Sequence, residues 1–231
     1  MSGSVLKTIA LVTMIIDHIG SALLRNLDFA IQPLFVIGSR QFTMYAIFRL
    51  IGRIAFPLYS FLLVEGFLHT KNRKKYGINL LVFAVISEIP YNLEHTGTLF
   101  FKNQNVFFTL FFGYLGLCFF ERFKDEKVKQ ALSIGLLFCI SWIFHSDYRY
   151  TGFVFILLLY LMRDRAFPRA LIGSSLFPNT PAILVSFGFM GMYNGNRGFI
   201  KNKAVKYMFY AAYPVHLFIL YLIKLKYIGY S

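Results

Sequence analysis

Apolar stretches close to twenty residues long recur along almost the whole chain, separated by short segments rich in Lys and Arg. The hydrocarbon core of a bilayer is ~30 Å thick, and ~20 apolar residues in a helix cross it. Backbone polar groups find no water there, so only helices and closed barrels can span. Of the 231 residues 57% are hydrophobic and 15% charged, and no polar block is long enough for a separate soluble domain. The sequence therefore predicts an all-α polytopic transmembrane helical bundle, with residues 1–231 forming a single integral-membrane domain.

About eight membrane segments are expected, over residues 5–24, 45–68, 77–93, 106–120, 131–144, 151–162, 170–193 and 207–225. The formal net charge is +14, but nucleic-acid binding is not expected. The basic residues sit in short loops, where they act as orientation signals. Basic loops 69–76, 122–130 and 163–169 alternate with loops 25–42, 94–104 and 145–150. That alternation predicts a multi-pass protein of the cell membrane with a cytoplasmic N-terminus. Loop 25–42 carries Pro33 and reads as an outer loop with re-entrant character. Segment 170–193 departs from the pattern, because Pro178-Asn179-Thr180-Pro181 lies at its centre and a basic loop, 194–206, follows it. A double proline disrupts a helix, so a broken or re-entrant segment is favoured over a single crossing. The first segment is too long and too polar for a cleaved signal peptide. Cys118 and Cys139 both fall in apolar segments as small hydrophobes, with neither a disulfide framework nor a metal-ligand spacing. No internal repeat is visible.

Ionisable groups in hydrocarbon cost several kcal/mol and survive when they pair, face a cavity or do chemistry. Asp17 and His18 lie late in the first span, His18 roughly 20 Å from its inner end at 1.5 Å per residue. Arg49 and Arg53 are one helical turn apart on the second span, and Glu88 lies roughly 17 Å along the third. Asn105 and Thr109 open the fourth span from outside, and His145 and Asp147 occupy the third outer loop. All fall towards the outer half of the bilayer, which makes them one candidate site. Each also has a plainer role: Arg53 and Glu88 fit a structural ion pair, and Asp17 fits a counter-charge for an arginine. His216, within YAAYPVHLF, suits packing or function equally. Glu65 and His69 suit the interface, and His95 a solvated loop.

The stretches LKTIALVTMIIDHIG, RLIGRIAFPLYSFLLVEGFLHTKNRKKY, ISEIPYN, QNVFFTL and MFYAAYPVHL resemble the TraX family of integral-membrane acetyltransferases. That family takes its name from an enzyme that acetylates pilin N-termini during conjugation. Asp-His in the first span, Gly-Arg-x-Ala-Phe-Pro in the second and Ser-Glu-x-Pro in the third are together fairly specific. The match runs from residue 6 to 217 in the family's order.

The resemblance implies an O- or N-acyltransferase that uses cytoplasmic acetyl-CoA, or another acyl-CoA, as donor and co-substrate. The acceptor would be an outer-facing peptide N-terminus or glycan, supplying an amine or a hydroxyl. His18 would be the general base, with Asp17 or Glu88 orienting its imidazole. Neighbouring helical residues point about 100° apart, which disfavours Asp17 as the direct partner. Arg49 and Arg53 would stabilise the oxyanion or hold the acceptor. Asn105 and Thr109, with Asn92 and His216, would contact substrate. His69, Lys71, Arg73, Lys74 and Lys75, or the 193–206 loop, would bind the coenzyme A phosphates, although topology alone also accounts for those charges. No metal is expected. The rival function is a transporter or channel that uses the same buried charges as a substrate or proton path.

Overall fold

A computed structural model describes residues 1–178, 180–200 and 202–229. Asn179 of the double-proline motif and Lys201 of the basic loop lie outside the described residues. Among the described residues the chain is all-α apart from one small hairpin, and it divides into two compact units. The first holds Met1–Tyr59, Ile89–Phe100 and Asn179–Ser231, and the second Ser60–Glu88 and Phe101–Pro178. Among the described residues, four helical stretches are long and apolar enough to cross a bilayer: Gly3–Asn26, Met44–His69, Arg73–Thr96 and Lys203–Tyr227.

In the first unit, α1 (Gly3–Ala22) starts at Ser2, whose Oγ accepts from Val5 N. Leu6, Ala10, Thr13 and Met14 recur at helical spacing on its buried face. A 3-10 turn (Leu24–Asn26) and the one-turn α2 (Asp28–Ile31) then lead into strands β1 (Pro33–Ile37) and β2 (Arg40–Thr43). The expected outer loop is thus an antiparallel hairpin, with Ile37 opposite Arg40 and Phe35 opposite Phe42. Gly38 takes φ +61° in its two-residue Gly38-Ser39 turn, a place where glycine carries no steric penalty. Leu34, Phe35, Val36 and Ile37 are all exposed, so the side chains on both faces of β1 are open.

The span expected as one helix over 45–68 is instead two, α3 (Met44–Gly52) and α4 (Ala55–His69). Pro57 explains the break: it has no N–H to donate, and its ring meets the carbonyl four residues back, at Arg53. Arg53 accordingly closes α3, and Ile54 N turns to Ile51 O at 3.1 Å, a tightened last turn. The final helix of the unit, α11 (Lys203–Tyr227), keeps Pro214 in its interior. α1 packs most extensively on α3 and next on α11.

The second unit is built on α6 (Val106–Arg122), which packs against α7 (Lys127–Ile143) and α8 (Arg149–Leu161). α5 (Arg73–Thr96) and α4 pass from one unit to the other along the chain. At the end of the second unit that carries the basic loops, Phe67 meets Tyr114 and Tyr160 edge-on, each at 5.7 Å. Tyr114 Oη donates to Arg73 O at 2.8 Å, and Tyr160 Oη donates to Glu121. Segment 170–193 is broken as its prolines require, into α9 (Ala166–Ser175) and α10 (Ala182–Gly191).

Candidate functional site

His18, one turn from the end of α1, meets a residue 198 positions away on α11. Its Nδ1 lies 2.6 Å from His216 Nε2, and the two rings stack at 4.8 Å between centroids, 26° from parallel. Tyr213, a turn earlier on α11, stands 5.8 Å from the His18 ring and 5.6 Å from that of His216. His216 Nδ1 lies 2.7 Å from its own Ala212 O. Two nitrogens 2.6 Å apart are hydrogen-bonded, because a metal between them at ~2.0–2.1 Å from each would hold them farther apart. Among the described residues no group of three or more metal-ligating side chains gathers anywhere.

Asp17 follows the other direction that a 100° step implies. Its Oδ2 accepts from Arg49 Nη1 of α3 at 2.7 Å, with both side chains about three-quarters or more buried. A charge-assisted bond of that length is among the stronger polar contacts a protein makes. It is possible because Gly52, the last residue of α3 before the α3–α4 break, has no side chain: a Cβ there would overlap the Asp17 carboxylate. Gly20 of α1 likewise lies against Phe48 and Arg49. Asp17 of the Asp-His pair and Gly52 of the Gly-Arg motif thus meet in one helix contact.

Three further ionisable groups of this unit, Glu94, His95 and Lys224, are linked to one another, and sequence pattern alone marks none of them. Glu94 is buried, with 2% of its surface exposed. His95, expected in a solvated loop, sits in the last turn of α5, with Nδ1 2.5 Å from Glu94 Oε2 and its ring against Tyr91. Lys224 Nζ donates to Glu94 O at 3.4 Å. Glu94 is within electrostatic reach of His216, and His95 of His18. Their only sequence signal was adjacency to a helix end. Asn92 is buried and donates to Leu99 O at 2.9 Å, pinning the turn after α5.

Glu88, Asn105 and Thr109 belong to the second unit. Asn105, fully buried, caps α6 by accepting from Phe107 N at 3.0 Å. Its Nδ2 donates to Glu88 Oε2 at 2.6 Å and to Ala84 O at 2.8 Å. Thr109 Oγ1 lies 3.0 Å from Ser146 Oγ and accepts from Tyr148 N at 3.4 Å. These three residues knit α5, α6 and the loop before α8. Among the basic residues, His69 is 71% exposed with Nδ1 2.9 Å from Glu65 O, and Arg73 lies over the Phe67 ring at 4.3 Å. Lys74 and Lys75 are exposed at the start of α5, where Asn72 Oδ1 accepts from Lys75 N.

These features define a helical membrane protein with an imidazole pair and an Asp–Arg pair inside its spans. The chain belongs to the TraX family: residues 2–224 match the TraX protein. It is 29% identical, over 93% of its own length and 92% of the relative's, to the probable fimbrial assembly protein FimC, serogroup H1, of Dichelobacter nodosus. No solved structure matches it.

Proposed function

We propose that this chain is a membrane-embedded acyltransferase that moves an acetyl or other acyl group from a thioester donor, acyl-CoA, to an amine or hydroxyl acceptor. The observation that carries this reading is the half-buried His18 imidazole, held by a second imidazole and flanked by an Asp-anchored arginine. His18 takes the acceptor proton as the acceptor attacks the thioester carbonyl, and the acceptor–carbon bond forms. The Arg49 guanidinium, fixed by Asp17, faces the negative charge that develops on the carbonyl oxygen. The carbon–sulfur bond then breaks, and His18 returns the proton to the departing thiolate, leaving coenzyme A as the free thiol.

The exposed Arg73, Lys74 and Lys75 at the N-terminus of α5 suit the donor's phosphates, because helix start and side chains both attract anions. Their loop, 69–76, is read as cytoplasmic, with the N-terminus on the same side and the acceptor outside. The fimbrial-assembly relative favours the amino group of an exported protein subunit over a glycan as acceptor. The test is acyl transfer from radiolabelled acetyl-CoA in proteoliposomes. His18→Ala should lose at least about a hundredfold in rate while retaining its fold and its donor binding. Unimpaired transfer by that variant would remove His18 from the chemistry.

A further inference from the structure

We infer that His216 is a positioning residue which fixes His18 in the Nδ1–H tautomer, making His18 Nε2 the basic nitrogen. The inference deepens the acyltransferase reading and rests on it for the role of His18, but the proton placement follows from the hydrogen bonds alone. A carbonyl oxygen can only accept. The contact between His216 Nδ1 and Ala212 O at 2.7 Å therefore places a hydrogen on His216 Nδ1. A neutral imidazole carries one hydrogen, so His216 Nε2 is left as an acceptor. The atom 2.6 Å from it, His18 Nδ1, must then donate. The remaining nitrogen of neutral His18, Nε2, holds the lone pair.

A carboxylate usually performs this orienting task in hydrolytic triads. Here the carboxylate next to His18 in sequence is engaged by Arg49, and a neutral imidazole backed by a carbonyl stands in its place. A neutral orienter suits a membrane interior, because it adds no second ion to desolvate. In the acyl-transfer step, the acceptor proton moves to His18 Nε2. The resulting imidazolium keeps its Nδ1–H directed at His216 Nε2, and the Nε2 proton passes to the thiolate as the carbon–sulfur bond breaks.

The experiment is ¹⁵N NMR of the detergent-solubilised full chain with ¹⁵N-labelled histidine, which separates protonated from bare ring nitrogens. His18 is assigned from the resonance lost in His18→Ala. Wild type should show His18 as the Nδ1–H tautomer, the minor form of free neutral histidine. His216→Ala should switch it to Nε2–H and lower acyl transfer about 10²- to 10⁴-fold, the range expected for losing the correct base. His216→Gln, whose Oε1 can accept, should keep the Nδ1–H form and most of the rate, and it carries the test if the alanine variant does not fold. Asp17→Asn should leave the His18 tautomer unchanged. An Nε2–H tautomer in wild type, or one that His216→Ala fails to alter, would overturn the inference. Tautomer control by His216 in a wild-type protein devoid of acyl transfer would uphold the inference and sink the acyltransferase reading.

Discussion

At the scale of single residues, the site depends as much on an absent side chain as on charged ones. Gly52 lets the Asp17 carboxylate lie against the α3 backbone, and so sets where Arg49 finds its acceptor. Gly52→Ala should displace that carboxylate and cost about 1–3 kcal/mol, the usual range for forcing extra atoms into a packed contact. The expected outcome is a lower thermal midpoint in detergent and, on the proposed acyltransferase reading, reduced acyl transfer. A variant as stable and active as wild type would mean that α1 and α3 separate freely. Much of this was legible beforehand, since depth placed Asp17, His18 and Arg49 at one level and the 100° step separated Asp17 from His18. The His18–His216 contact was not legible. Depth says nothing about which faces of two helices meet, and 198 residues separate the partners.

Among the elements, the helix starts and breaks obey local chemistry. Asn105 both caps α6 and donates to Glu88, so Asn105→Ala should lower stability by about 1–3 kcal/mol, combining a lost cap with a carboxylate deprived of a donor. Asn105→Asp should not restore it, because a second carboxylate would face Glu88. Thermal unfolding of the two variants checks both statements, and an aspartate variant as stable as wild type would contradict the second. The double-proline break is readable because Pro178 and Pro181 lie at the centre of their segment, whereas Pro57 breaks the helix at a distance of four residues, inside an otherwise continuous apolar run. The hairpin is illegible in the sequence for a different reason. Its β1 residues Leu34 to Ile37 are consecutively apolar, without the period-two alternation that marks a half-buried strand, and only Gly38-Ser39 signals the turn.

For the molecule as a whole, the distribution of charge makes a statement about sidedness that can be checked in intact cells. In a background of Cys118→Ala and Cys139→Ala, a cysteine at Lys74 should react only with membrane-permeant thiol reagents, and one at Ser39 should react with impermeant ones as well. Labelling of the Lys74 position by an impermeant reagent would reverse the proposed orientation. The all-α architecture was plain from hydrophobic run length, because the requirement to satisfy the backbone in lipid leaves few alternatives.

The stitching of α1 to the far end of the chain carries a consequence for biosynthesis. Gly3 N donates to Asn196 O at 2.8 Å, Ser4 N to Arg197 O at 2.9 Å, and Ile200 N to Ser4 Oγ at 2.9 Å, while His18 waits for His216. None of these partners exists until the ribosome has made most of the protein. α1 therefore stays incomplete until α11 has been made, and a nascent chain that has not yet reached α11 lacks the His18–His216 pair.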